Sequence, residues 1–435
     1  MLKNLLAQRR RNIWLLLEMI VVAVVTWVVI DPVMVLMSVG NWPKGYEQDR
    51  LVYMELGLIK PRSARYSAEA ADSAEMVKAF DVIVDRMKNM PDVESVTPVS
   101  AGLRIDGSWS SNMGLNYIGD EGDTLRTFVF LYSRSIGRDY FTTYGMRPVA
   151  GSPSAEELSS MPMADKDIIV TETLARKMFG ERDNYIGLCT ADNFDDGTGV
   201  GRRIVGVVED VRPWQSKGAS RVLWMDENFD INEDPESTAL AVRLSDAVTP
   251  QEWINKYGSD ARAGSYAGNL YIKYIDTYAS IARTTWQDRS ATSQKRLKIV
   301  LLVFFLVNLA LGVAGTFYLQ TRQRSHDAGI MKSFGATRGK VFGSLVGEAM
   351  LITVAGWLIG CLLYMHYGMK EGLSVGIDWN NSYLPAGCWI VNFWEHFGIV
   401  SAAVLVVLAV IVLIGVSFPA RRIARVNPVD ALRDE

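Results

Sequence analysis

IVLLVFFLVNLALGVAGTFYL, residues 299–319, contains no Asp, Glu, Lys or Arg. About 20 apolar residues in a row is the length an α-helix needs to cross a hydrocarbon core roughly 30 Å thick. A polar connection, 320–343, follows at once, with Arg322, Arg324, Lys332, Arg338 and Lys340 against the single acid Asp327. Two further apolar runs come after it, at 344–367 and 397–418, and one precedes it far upstream, at 13–37. Between the first run and the second lies a long segment of ordinary composition, 38–275, large enough to hold its own core. The pattern predicts an α+β membrane protein: four transmembrane helices, with a large mixed α/β domain inserted between the first and the second.

The first run has two features of its own. It contains Glu18, and near its end Asp31 is followed by Pro32. A basic leader with Lys3, Arg9, Arg10 and Arg11 before an apolar stretch also fits a cleaved signal peptide, but a signal core is about 7 to 15 residues long and closes on small residues. Here the apolar stretch continues through Trp27, Val28, Val29 and Ile30, so the expectation is an uncleaved anchor. Lys and Arg accumulate on the cytoplasmic side of membrane helices. By that rule the segment 1–12, the connection 320–343 and the tail 419–435, with Arg421, Arg422, Arg425 and Arg433, all face inward. The acid-rich segment 38–275, the polar stalk 276–298 and the loop 368–396 then face outward, and four spans satisfy all the signs.

Inside the large domain, 68–90 places Met76, Val77, Phe80, Val82, Ile83, Val84 and Met87 among charges, which predicts an amphipathic helix ended by Pro91 and Asp92. Residues 93–99 alternate like a strand, 167–171 form a short β-branched run leading into a helix at 172–179 closed by Gly180, and RRIVGVVEDV at 202–211 is a further strand. Residues 276–298 lack Gly and Pro and run directly into the second span, which predicts a helical stalk. Gly356 with Gly360, and Gly312 with Gly315, are small-residue pairs that let helices approach closely, either within one chain or between two.

Motifs for chemistry are sparse. No G-x-x-x-x-G-K-[ST] loop is present, and the nearest approach, Gly197 to Gly201, reads as a hairpin. Asp226, Asn228, Asp230 and Asn232 have the alternate spacing of a calcium loop, yet Ile231 and Ser237 stand where Gly and Glu are required, so this reads as an acidic loop. His326, His366 and His396 are scattered, and the three cysteines Cys189, Cys361 and Cys388 do not suggest a disulfide framework. Catalytic and metal-binding residues are expected to be none. Glu18 and Glu348, ionisable groups within spans, are the candidate polar sites of the membrane region.

The stretch RQRSHDAGIMKSFGATRGKVFGSLVGE, residues 322–348, resembles the basic loop of the MacB/FtsX-like ABC transporter permeases, of the form R-E-I-G-I-x-[RK]-x-x-G-A-[ST]. Gly329, Ile330, Lys332, Gly335, Ala336, Thr337 and Glu348 fit it, while His326 and Asp327 replace the usual Arg-Glu pair. PARRIARVNPVDALRDE, 419–435, is similar to that family's closing motif, and DYFTTYGMRPVAG (139–151), IIVTETLARKMFG (168–180) and RRIVGVVEDVR (202–212) look like its periplasmic core. The resemblance implies a periplasmic domain with a porter-like part and an inserted lobe. It also implies a permease homodimer or heterodimer working with cytoplasmic ABC ATPase subunits, in the inner membrane and with both termini cytoplasmic. ATP and Mg would then be cofactors of the partner and not of this chain, which is expected not to be an enzyme. A periplasmic adaptor and an outer-membrane duct are further implied partners; nucleic acid is not. The residues that would meet the ATPase are Arg322, Asp327, Gly329, Lys332, Gly335, Ala336 and Thr337 of the loop, and Arg421, Arg422, Pro428, Ala431, Leu432 and Arg433 of the tail. The rival reading is a membrane-anchored sensor whose outer domain binds a ligand and signals inward.

Overall fold

The computed structural model describes residues 9–101, 104–105, 111–119, 121–135, 138–191, 201–214, 218–226, 231–284, 286–323, 325–374, 382–383 and 388–425. In chain order the elements are α1 (Arg9–Gly40), β1 (Leu51–Leu58), α2 (Ser73–Lys88), β2 (Val93–Ser100), β3 (Ser111–Ile118), β4 (Thr124–Arg134), α3 (Tyr140–Tyr144), α4 (Ala155–Ser160), β5 (Asp167–Thr171) and α5 (Glu172–Phe179). They continue with β6 (Arg203–Val208), β7 (Ala219–Ser220), β8 (Val222–Asp226), β9 (Thr238–Leu244), α6 (Pro250–Ala263), β10 (Leu270–Thr277) and α7 (Tyr278–Thr284). Last come α8 (Trp286–Gln323), α9 (Ser325–Ser333), α10 (Arg338–Glu371), β11 (Ser382–Tyr383) and α11 (Phe393–Arg425). The chain divides into a sheet-bearing unit, Val39–Thr292 with Ile377–Pro385, and a helical unit, Met1–Ser38, Ser293–Gly376 and Ala386–Glu435.

The sheet-bearing unit is built on two sheets, and β9 of the first and β5 of the second are buried on both faces. The first has the order β10-β1-β9-β2 and is antiparallel throughout. Strand residues alternate between faces, and β9 shows what that does: Leu240, Val242 and Leu244 point to one core while Ala239 and Ala241 point to another. The leucine face meets Phe80, Ile83, Val84 and Met87 of α2 and Trp253 of α6. Both helices start where their sequences say they should. Asp72 accepts the Ala74 amide at the head of α2, and Thr249 with Glu252 forms a capping box before Pro250 at the head of α6. The second sheet has the order β3-β4-β8-β5-β6, with β4 parallel to β8 and β5 parallel to β6. Its outer face takes Leu174, Ala175 and Met178 of α5 against Ile168, Val170 and Val129.

Between the two sheets lies an aromatic core holding Tyr53, Tyr132, Tyr140, Phe141, Tyr144, Trp224 and Tyr278. Full burial of a side chain such as Phe141 contributes about 1.5–3 kcal/mol. Among the polar groups taken into this core, the Tyr144 and Tyr278 hydroxyls lie 2.6 Å apart, and the Arg134 guanidinium, wholly buried, meets Asp226 at 2.7 Å and donates to the Leu158 carbonyl.

Sequence and structure agree closely where a short-range signal exists. The helix expected at 68–90 runs from Ser73 to Lys88, the strand expected at 93–99 is Val93–Ser100, and the strand and helix at 167–171 and 172–179 fall at those residues, with Gly180 at φ +71 closing α5. The stalk differs only at its start. Residues 276 and 277 finish β10, paired to β1, so the expected helix begins two residues late; from there 278–284 (α7) and 286–298 (the start of α8) are helical, with residue 285 outside the described residues. The β-branched and aromatic run Leu270–Thr277 pairs as a strand edge, and that pairing outweighs the helix-compatible composition just beyond it.

In the helical unit α1, α10 and α11 are long and apolar enough to cross a membrane over the described residues, α1 from Ile13. They extend past the expected spans 13–37, 344–367 and 397–418 at both ends. The stretch 299–319 lies inside α8, which is not one of those three; Val300, Val303, Phe304, Val307 and Leu311 of α8 are exposed. Gly356 and Gly360 of α10 face α1 so closely that an added Cβ would sit 2.6 Å from the Cβ of Met19 and 2.7 Å from that of Ala23. That pair therefore serves packing within the chain, as small residues do between membrane helices. Gly312 and Gly315 of α8 have open space beside them.

Candidate coupling site

The connection between α9 and α10 is a tight corner of four residues, Phe334, Gly335, Ala336 and Thr337. Helix α9 ends with the Gly335 amide donating to the Lys332 carbonyl at 2.9 Å and the Ala336 amide donating to the Met331 carbonyl at 3.0 Å, the double bond of a Schellman cap. Such a cap needs a left-handed residue at its bend, and Gly335 has φ +86. Ala336 then packs with Met331 on Ala328, Val341, Ile423 and Ala424, supplying the apolar contact that accompanies this motif. Thr337 starts the next helix at once: its hydroxyl accepts the Lys340 amide at 3.3 Å as the N-cap of α10. One helix stops and the next begins without a slack residue.

The end of α11 joins this corner. Ile423 and Ala424 share the cluster with Ala328 of α9 and Val341 of α10, and the Arg421 guanidinium lies 6.0 Å from the Phe342 ring centroid. Arg338, Lys340, Arg421 and Arg422 are exposed around it. The Lys332 ammonium is held below the usual lysine range, by partial burial first and by the nearby Arg338 charge second. At the apex, Phe334 is 88% exposed, a large apolar ring on a cationic corner.

This architecture carries the signatures of a known group. The pattern of the FtsX-like permease C-terminal region matches residues 299–428, and that of the MacB-like periplasmic core domain matches residues 33–256, more than half of the chain. The chain belongs to the MacB/FtsX-like permease family. Among relatives of this permease, the macrolide export ATP-binding/permease protein MacB of Chromobacterium violaceum is 24% identical over 69% of the chain and 43% of the relative, and that of Escherichia coli is 23% identical with the same shares. The permease thus spans less than half the length of these relatives, and the part in common is their permease part. The solved periplasmic region of MacB from Actinobacillus actinomycetemcomitans shares 15% identity, with 57% of this chain and 97% of that one covered at a TM-score of 0.30.

Of the residues singled out in the permease's sequence, Gly329, Lys332, Gly335, Ala336 and Thr337 lie on α9 and the corner, with Gly329 buried, and Arg421 and Arg422 lie on the adjoining end of α11. Arg322 falls on α8 and Asp327 on α9, with side chains outside the described set, as are Pro428, Ala431, Leu432 and Arg433 altogether. Glu18 accepts the Thr316 hydroxyl at 3.3 Å, joining α1 to α8, and Glu348 is buried on α10. Among the described residues no group of three or more His, Cys, Asp or Glu could hold a metal. Of the calcium-like spacing, Asp226 is engaged by Arg134 and by the Met163 amide, while Asn228 and Asp230 lie outside the described residues, as does most of the loop from Gly197 to Gly201.

Two features escaped the sequence. Phe334 is flanked by Ser333 and Gly335, so no period marks it; the only available signal was a lone aromatic in a polar connection. The other is a buried pair, Asp31 of α1 and His396 of α11, 2.6 Å apart and each with its side chain 1% exposed. Residues 365 positions apart leave no local trace of their meeting.

Proposed function

We propose that the chain is the membrane subunit of an ABC transporter that passes ATP-driven motion from a cytoplasmic partner to a periplasmic domain. The observation that supports this most is the α9–α10 corner. A force applied there is not absorbed by a loop, because Gly335, Ala336 and Thr337 cap both helices and the end of α11 packs on them. In this reading α8 is the remaining span, giving four, with the corner and both termini on the cytoplasmic side of the inner membrane. The cationic residues Lys332, Arg338, Lys340, Arg421 and Arg422 then face an ATPase subunit that holds the ATP and Mg. Phe334 provides an apolar anchor at the centre of a charged rim, the arrangement typical of energetically dominant contact residues.

The work done at the far end is macrolide-type efflux, lipoprotein release or remodelling of the cell envelope, carried out by a dimer of permeases; efflux would add a periplasmic adaptor and an outer-membrane duct. The test is isolation of the chain with its native partners from membranes. An ATP-hydrolysing subunit should copurify, and its turnover should change when the permease is present. A complex lacking any such subunit would refute the reading.

A further inference from the structure

Helix α1 carries a buried polar stripe. Trp27, Asp31 and Ser38 are spaced four and seven residues apart, which places them within about 40° of one another around a helix of 3.6 residues per turn. Each meets a partner further back along the chain. The Trp27 indole donates to the Ser401 hydroxyl at 3.1 Å, Asp31 meets the His396 Nε2 at 2.6 Å, and the Trp389 indole donates to the Ser38 hydroxyl at 3.1 Å. The partners descend in number as α1 ascends, so α1 and α11 run antiparallel with the stripe as their seam.

Asp31 is the node. Its second oxygen accepts the Ser374 amide at 3.1 Å, just beyond Gly372, the cap of α10. One carboxylate therefore ties α1 to α11 through a ring nitrogen and to the end of α10 through a backbone amide. Aromatic groups close the surroundings: the Trp389 ring meets the His396 ring edge-on at 4.9 Å, and Tyr364 of α10 stacks on Trp27 at 4.1 Å.

The residue after Asp31 is Pro32, inside a continuous helix. Proline has no amide to donate to the Val28 carbonyl, and its ring crowds that carbonyl, so a helix bends most readily at such a step. A buried polar tie that joins α1 to both α11 and the end of α10 thus sits beside the one proline step of the helix that leads in sequence to β1. Buried pairs of ionisable groups add little net stability compared with apolar residues of similar size, and an ionisable residue within a membrane helix signals function. We propose that Asp31 and Pro32 form a latched hinge: proline supplies the bend, and the carboxylate shared by His396 and Ser374 holds α1 in a single conformation until the latch opens. Opening strands a carboxylate and an imidazole without partners among apolar groups, which makes the latch open or shut and not partly released.

Spin labels at Met37 of α1 and Val391 before α11, both exposed, read the hinge in the full-length chain with its three cysteines replaced. The native pair should give one narrow distance distribution. Asp31→Leu with His396→Leu leaves no charge unpaired, so the chain should still fold, and its distribution should broaden or split in two. Adding Pro32→Ala to that variant should return it to a single narrow distance. A narrow distribution in the leucine pair would overturn the latch, and a broad one that persists after Pro32→Ala would overturn the hinge. The reading needs no ATPase, so its failure would leave the proposed transporter role standing.

Discussion

Gly335 occupies a backbone conformation that a side chain resists, and it does so at the point where α9 must stop. Replacing it with Ala should cost about 1 kcal/mol or more, seen as a lower midpoint of thermal unfolding in detergent. Thr337→Ala, which removes the N-cap of α10, should cost about 1 kcal/mol as well. Phe334 is the opposite case. It is exposed enough that Phe334→Asp should leave stability within about 0.5 kcal/mol of the native chain, yet it should abolish the change in ATP turnover of a copurified ATPase. Equal turnover with and without the phenyl ring would remove Phe334 from the contact.

At the scale of elements, the close approach of α10 to α1 depends on glycine. Gly356→Leu should destabilise the helical unit by about 2 kcal/mol through overpacking against Met19, whereas Gly312→Ala, beside open space, should be tolerated; thermal unfolding of the two variants compares them directly. In the sheet-bearing unit, Asp167 at the start of β5 receives two bonds of 2.8 Å from Arg203 of β6. The guanidinium hydrogen bonds hold the Asp167 carboxyl below the usual carboxylate range against the opposing effect of burial. A lowered carboxyl stabilises the fold at pH values above its unfolded pKa, and that contribution disappears as the pH falls through the lower folded value. The loss of stability in Asp167→Asn should therefore be full at neutral pH and shrink toward zero in acid, as followed by thermal unfolding across pH.

The same elements show what can be read from a chain before folding. Asp167–Thr171 and Glu172–Phe179 were legible because β-branched residues, a helix-forming run and a closing glycine all act within a few positions. The Gly335-Ala336-Thr337 corner was visible only as a resemblance to a family motif; that these residues cap two helices emerges from the structure. The end of β10 was not legible, because its strand state depends on pairing with β1, more than 200 positions away. Nor were the partners of Asp31, which are chosen by packing between helices at opposite ends of the chain.

The whole molecule is asymmetric: a sheet-bearing unit with two packed sheets and an aromatic core, and a helical unit in which, among the described residues, Glu18, Trp27, Asp31 and Trp357 make hydrogen bonds from one helix to another. A machine that moved a solute between its spans would be expected to line a path with such groups. Here the Asp31 and Glu18 contacts lie between helices, and Arg338, Lys340, Arg421 and Arg422 are exposed at the corner between α9 and α10 and on the end of α11. Cysteine labelling from each side of the membrane should place Ser333 and Lys340 on the cytoplasmic face. The most direct measurement is ATP turnover by the purified complex carrying Gly335→Asp and Ala336→Asp. The account predicts a permease that still inserts but no longer alters the turnover of its ATPase; turnover that responds to the altered permease as it does to the native one would contradict it.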